Sequence, residues 1–217
     1  IAYRSHEQTK FVINKIIEDE IGELESIEST FGFFSKKIDP KSRLYNPNLG
    51  GGAILDVGCY PVSFSTLLAN LDQKNISDPE ILDVSGSICK TGVDEIAYAS
   101  LVFEKKITAK IGTAIRLQMK NQTSVIGTKG NILINDPWLP NKKSTIEINS
   151  KQRSYKSFIN SELDIFANQI DNVNRCILDG KKEADFPGVR WKDTIKNMLV
   201  IDKWKKKLFE ANNEKKH

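Results

Sequence analysis

The chain has 217 residues, 39% hydrophobic and 28% charged, with a net charge of +4 from 32 basic and 28 acidic side chains. This is ordinary globular composition, enough for one sizeable core or for one domain and a piece of another, and so mild a charge points to a solvated lysine-rich surface rather than a nucleic-acid or anionic-membrane face. No apolar run reads as reaching the roughly 18–20 residues that cross a bilayer, and no charged start followed by an apolar region marks a signal peptide.

In chain order, residues 1–4 read as the end of a strand whose beginning is absent; the start at Ile1 rather than Met is expected of a fragment or a processed product. Residues 6–18 read as a helix, with Val12/Ile16 and Ile13/Ile17 at helical spacing and Gly22 as the stop. Residues 24–34 are strand-like, with Ile27, Phe31 and Phe33 on one face. A loop over 35–52 holds Asp39-Pro40, Asn46-Pro47 and a glycine triplet. The apolar segment 53–70 is too long for a typical strand and reads as a helix, kinked or restarted near Pro61, which lacks an amide hydrogen. The period then becomes two: Ile107, Ala109, Ile111, Thr113, Ile115 and Leu117 alternate with Thr108 through Gln118, predicting a strand with one face buried. Shorter strands are expected at 81–90, 95–104, 122–127, 131–135 and 144–149, with a tight turn at Gly127-Thr-Lys-Gly130. Leu163, Phe166, Ile170, Val173 and Ile177 predict a helix ended by Gly180. Trp191, Ile195, Met198 and Ile201 open a last helix, which runs into Lys203-Trp-Lys-Lys-Lys207; this basic end suits the helix macrodipole better than nucleic acid. Consecutive strands flanked by helices make the fold class α+β with a largely antiparallel open sheet.

The chemistry concentrates in Gly50-Gly-Gly-Ala-Ile-Leu-Asp-Val-Gly-Cys-Tyr60. A glycine-rich loop before a helix can hold an anion, but the G-K-[S/T] ending of a P-loop is missing and G-x-G-x-x-G occurs nowhere in the chain; the other reading of the triplet is a turn that lets backbone pass close to something else. Four residues apart, Asp56 and Tyr60 share a helix face with Cβ atoms about 5–6 Å apart. A carboxylate beside a phenol can position a substrate hydroxyl and handle its proton, but a phenol with an ordinary pKa of about 10 needs a nearby cation to act as a base near neutrality. The plain alternative is an acid favoured by the helix dipole beside a half-buried core tyrosine. Cys59 is read as small-residue packing rather than a nucleophile. Cys59, Cys89 and Cys176 lie far apart without a C-x-x-C, and the histidines are His6 and His217, which argues against zinc and a disulfide framework and fits reduced thiols in a cytoplasmic protein.

That stretch resembles the G-G-G-x-L-x-D-x-G-x-[H/Y] signature of the Gfo/Idh/MocA oxidoreductase family. Tyr3-Arg-Ser-His-Glu-Gln-Thr9 is similar to the family's Y-R-x-H-P-Q, with Glu7 where proline is usual. Ile21-Gly-Glu-Leu24 and Arg43-Leu-Tyr-Asn-Pro-Asn-Leu-Gly50 are similar to its strand entry and its loop before the glycines. Gly127-Thr-Lys-Gly-Asn-Ile132 and Asp193-Thr-Ile-Lys-Asn-Met-Leu-Val-Ile-Asp-Lys-Trp204 are similar to its turn and its closing helix. The ending in Tyr resembles the dihydrodiol dehydrogenase and glucose-fructose oxidoreductase branch.

The resemblance implies a two-domain enzyme with an N-terminal Rossmann domain binding NADP or NAD and a C-terminal α+β domain. In those terms residues 1–21 are the end of the Rossmann domain and 22–217 are the substrate and dimerisation domain. Asp56 would orient a substrate hydroxyl, Tyr60 would be the acid/base, Arg4 a cofactor contact, and Arg43 and Asn46 substrate contacts, Asn46 being also a natural turn former. The lysine of the family's Glu-Lys-Pro motif, absent from this chain, would be the cation Tyr60 needs. Hydride would pass between nicotinamide and a sugar, polyol or diol-like substrate in a homodimer or higher homo-oligomer formed through the open sheet, with no nucleic-acid or membrane partner, and the fragment alone would be inactive. The alternative is a non-catalytic binding or oligomerisation domain of the same fold.

Overall fold

The structure is a computed structural model and describes residues 1–71 and 78–214, so His217 lies outside it. Among the described residues the regular elements are α1 (Glu7–Ile17), β1 (Leu24–Gly32), α2 (Cys59–Ala69), β2 (Glu80–Ile88), β3 (Asp94–Val102), β4 (Thr108–Ala114), β5 (Gln122–Gly127), β6 (Gly130–Asn135), β7 (Lys143–Ser150), β8 (Ser154–Asn160), α3 (Ile165–Leu178) and α4 (Trp191–Glu214). The class is α+β, as the element order predicts. The chain divides into two compact units, residues 1–26 with 122–195, and residues 27–121 with the chain from 196 on.

In the first unit, residues 1–4 are not a strand end: Ala2–Ser5 form a 3-10 turn. Tyr3 explains the difference. Its ring is fully buried and meets Trp138 edge-on with centroids 5.4 Å apart. Its carbonyl accepts from His6 N (3.0 Å) and Thr9 Oγ1 (2.8 Å), which turns the chain directly into α1. Strands β5 to β8 form an antiparallel meander. The expected tight turn is there, with Gly127 paired to Gly130 around Thr128 and Lys129. Val125, Ile132, Ile134, Ile146 and Ile148 bury one face. Strand β8 is absent from the sequence reading because its alternation is mostly polar; Ile159 is its one buried residue. Helix α3 starts where Asp164 caps it, accepting from Phe166 N (3.0 Å) and Ala167 N (2.8 Å). Yet Phe166, Ile170, Val173 and Ile177 all face outward, and Ile165 and Cys176 are the buried residues. The 3-4 spacing identifies a helix and an apolar face, but not which face meets the core.

In the second unit, β2, β3 and β4 are antiparallel neighbours and β1 lies next to β4. Ala109, Ile111, Thr113 and Ile115 are buried while Thr108 and Lys110 are exposed, so the period-two reading holds over the first half of the expected stretch; beyond it Ala114 is buried on the other side and Leu117 is exposed, past the end of β4. Gly112 is buried as well, because the Tyr98 ring and Thr30 cover it; a Cβ there would lie 2.8 Å from that ring. The core is completed by Val62, Phe64, Leu67 and Leu68 of α2 and by Val200, Ile201, Trp204 and Leu208 of α4. Trp204 Nε1 donates to Tyr98 O at 3.2 Å.

The helix expected over 53–70 has two windings. Ile54–Gly58 is a π-turn and regular α2 follows from Cys59. Pro61 has no N–H to offer the carbonyl four residues back, and its ring would press on that carbonyl. The wider winding immediately upstream relieves both, so the irregularity precedes the proline instead of sitting on it. One expectation is corrected here: the helical stretch Pro47–Ala69 is long and apolar enough to cross a membrane by length and composition. Of its most apolar window, 67% is buried inside the protein, where it forms core of the second unit.

Candidate functional site

The glycine triplet is a packing device. Gly50 N donates to Pro47 O (3.3 Å), Gly51 N to Asn46 O (3.0 Å) and Gly52 N to Leu44 O (3.0 Å), so all three amides are committed to the preceding loop. A Cβ on Gly51 would lie 2.8 Å from Asn46 O and 2.9 Å from Arg43 O. Gly52 has φ +115°, and a Cβ there would overlap Asp94 Oδ1. The triplet therefore lays the loop tightly against the π-turn, and its amides do not cradle an anion.

The π-turn that follows is held from both sides. Asp94 Oδ2, at the start of β3, accepts from Ile54 N at 2.6 Å, and Thr113 Oγ1 on β4 donates to Ala53 O at 3.2 Å. Farther along, Asn197 Nδ2 of α4 donates to Cys59 O at 3.3 Å. Gly58 is small because Trp204 is against it: a Cβ would come within 3.1 Å of the indole.

On this support stand the two predicted residues. The Asp56 side chain is mostly buried and its Oδ1 is 2.6 Å from Arg43 Nη2, whose own side chain is 65% exposed. Asp56 and Arg43, taken separately from sequence, are thus one ion pair. Tyr60 lies a turn later, half-buried, with its ring edge-on to Phe31 of β1 (centroids 5.1 Å, planes at 86°). Burial, then the neighbouring Cys59 and Asp56, push the phenol up from its ordinary pKa. Tyr60 is therefore a protonated phenol at neutral pH. Cys59 is pushed up to about 11, chiefly by burial, which removes it as a thiolate nucleophile.

Asn46 uses its side-chain oxygen locally, accepting from Asn48 N at 2.9 Å, an Asx cap on the 3-10 turn Pro47–Leu49. Arg4 belongs to the first unit, not to that of Asp56 and Tyr60. Its buried guanidinium donates from Nε to Pro187 O (2.6 Å) and from Nη2 to Gly188 O and Asp193 Oδ2 (both 3.4 Å). Phe31, Asp94 and Thr113 were not singled out from sequence, since a strand phenylalanine, an acid after a turn and a strand threonine carry no functional pattern. Asn197 stood inside the closing-helix motif and was legible as part of it. Among the described residues no group of three or more His, Cys, Asp or Glu is placed to hold a metal ion.

The dinucleotide that the resemblance implies can be tested against these residues. The committed amides of Gly50–Gly52 do not fit its phosphates, whereas an acid and a phenol on one helix start fit the reacting end, where a hydroxyl proton is handled.

A model of the GFO/IDH/MocA C-terminal domain matches residues 12–133. The trans-1,2-dihydrobenzene-1,2-diol dehydrogenase of Xenopus tropicalis is 33% identical over 171 residues, covering 76% of this chain and 48% of the relative. The protein of the same name from Homo sapiens is 32% identical over 121 residues, covering 55% of this chain and 34% of the relative. The chain thus spans about half the length of the Xenopus relative. Among solved structures, the fold is shared with the aldose-aldose oxidoreductase of Caulobacter crescentus complexed with glycerol (TM-score 0.82, 21% identity, 97% of this chain and 61% of that one). It is also shared with KijD10, a 3-ketoreductase of Actinomadura kijaniata in complex with NADP and TDP-benzene (TM-score 0.73, 20% identity, 93% and 58%). Since the family model covers more than half of its residues, this chain belongs to the GFO/IDH/MocA family, which it matches through the C-terminal domain.

Proposed function

We propose that this chain is the substrate domain of an NAD(P)-dependent oxidoreductase acting on a hydroxyl or carbonyl of a sugar, polyol or diol. The observation that carries the reading is the Arg43–Asp56–Tyr60 constellation: an acid pinned by an arginine on the same helix start as a phenol whose pKa is raised chiefly by burial. A bound nicotinamide would supply the hydride acceptor or donor; the proton is the business of this chain. Asp56, with its second oxygen, accepts a hydrogen bond from a substrate hydroxyl and orients it. Tyr60, a protonated phenol, gives its proton to the carbonyl oxygen in the reductive direction and takes it back from the hydroxyl in the oxidative one. The oxidative direction needs a cation to lower the phenol's pKa. By the family resemblance this is a lysine outside the chain.

Substrate and cofactor preference are read by assaying the full-length protein on sugars, polyols and aromatic diols with each nicotinamide. Turnover that vanishes in Tyr60→Phe supports the reading. No turnover on any substrate class with either cofactor would favour a non-catalytic binding domain.

The outward face of β7 and β8 supports self-association. Phe158 is 78% exposed there, directly opposite Thr145 and beside the Glu147–Lys156 pair, and we read it as the centre of a homodimer face.

A further inference from the structure

We propose that Asp94 is a positioning residue for this site, holding the helix start that carries Asp56 and Tyr60. The inference rests on the proton-handling reading of Asp56 and Tyr60. Asp94 is fully buried, and its Oδ2 accepts from Ile54 N at 2.6 Å, two residues before Asp56. The other carboxylate oxygen, Oδ1, is buried without a hydrogen-bond partner and lies where a Cβ on residue 52 would be.

An acid that merely capped a helix would do so more cheaply at a solvated end, since burying a carboxylate with an unpaired oxygen carries a substantial desolvation cost. What this arrangement provides instead is rigidity. Asp94 opens β3 and Thr113 stands on the paired strand β4. Together they fix the Ile54 amide and the Ala53 carbonyl to the sheet. A π-turn has no winding of its own to enforce, being rare except where its surroundings hold it. Freed at residue 54, the turn could relax toward α winding and rotate Asp56 relative to Tyr60.

The test uses the full-length enzyme with Asp94→Ala, Asp94→Asn, Gly52→Ala and Tyr60→Phe, measured for kcat, KM and cofactor Kd. Asp94→Ala and Gly52→Ala are expected to lower kcat by about 100-fold, the scale of a 1 Å misplacement, with cofactor Kd unchanged and KM altered only a few-fold. Asp94→Asn is expected to restore most of kcat, because its carbonyl oxygen can accept from Ile54 N in the same place. Wild-type kcat in Asp94→Ala beside a dead Tyr60→Phe would overturn the proposal, as would an Asp94→Asn no better than Asp94→Ala. If Asp94→Ala does not fold, Gly52→Ala decides: it crowds the carboxylate without removing it and also strains a backbone at φ +115°, so wild-type kcat there overturns the proposal. Wild-type turnover in Tyr60→Phe would instead sink the proton-handling reading, and the proposal with it.

Discussion

Arg43 Nη2 and Asp56 Oδ1 are 2.6 Å apart, and this pair ties the loop before the glycines to the π-turn after them. Because Arg43 is largely exposed, the pair is worth no more than about 1 kcal/mol to the fold. Arg43→Ala should therefore leave the melting temperature nearly unchanged while raising KM and lowering kcat/KM, as Asp56 loses its fixed orientation. Steady-state kinetics beside a thermal melt separate the two effects. Lost stability with unaltered kinetics would make the pair a loop tether.

Tyr60→Phe keeps the ring and its edge-on contact with Phe31, so stability should barely change. Turnover should fall by about 10²–10⁴-fold, the usual worth of a positioned acid or base, with cofactor affinity retained. The phenol's pKa is raised by burial first and by Cys59 and Asp56 next. Reductive turnover should then stay flat through neutral pH and decline only in alkali, where the proton is lost. A pH–rate profile of the reductive reaction checks this, and a decline starting below neutrality would contradict it.

Two acids, Asp94 buried and Asp193 partly buried, should respond to pH with opposite signs. Burial raises the pKa of Asp94, against hydrogen bonds from the backbone at Ile54. The folded state thus holds this proton more tightly than the unfolded chain, whose value is about 3.9. The stability contribution is full below that value and is lost as pH rises through the folded pKa. Asp193 is the reverse: burial alone would raise it, but hydrogen bonds from Arg190 and the charge of Arg4 outweigh that and hold it low. Its contribution is full above the unfolded value and is lost as pH falls through the folded one. Denaturant midpoints of wild type, Asp94→Asn and Asp193→Asn across about pH 3–8, which takes in the ordinary carboxylate range, should show the differences sloping in opposite directions.

Trp204 is fully buried under the site. Trp204→Ala should cost about 3–5 kcal/mol and leave the Tyr98 carbonyl without its indole donor. Gly58→Ala, whose Cβ would press on the same indole at 3.1 Å and on Thr113 at 3.3 Å, should cost about 1–3 kcal/mol through overpacking. Chemical unfolding measures both, and a neutral Gly58→Ala would mean the indole can shift.

Phe158→Glu places a charge at the centre of the β7–β8 face. If that face joins two copies, light scattering should show the mass halved, with the circular dichroism spectrum retained. An unchanged mass would place self-association elsewhere.

Most elements were legible because periodicity is local. The alternation from Ile107 to Ile111 and the Gly127–Gly130 turn appear where the sequence puts them, whereas the strand stops at Ala114, short of the expected Leu117, which is exposed. What failed was whatever depended on distant partners. Phe166, Ile170, Val173 and Ile177 mark a helix, but the core meets its opposite side. The start of the chain turns because Tyr3 is drawn onto Trp138, 135 positions away (138 − 3). Within the site, Asp56 and Tyr60 could be proposed from a four-residue spacing. Asp94 could not, since its relation to Ile54 spans 40 residues and is visible only once β3 lies beside the turn. Gly52 was legible as a glycine needing a reason, and the reason was the part the sequence withheld.

The π-turn at Ile54–Gly58 is, in effect, one residue more than an α-helix requires over the same length. Deleting a single residue such as Val57 would restore regular winding and leave the segment just as helical and just as apolar. Asp56 and Tyr60 would then stand three residues apart instead of four, still on one side of the helix but at a different offset from each other. Among natural variants and in engineered ones, a one-residue length difference here therefore counts as a substitution of the site itself. It would leave circular dichroism untouched and show first in the rate of the proton-handling step.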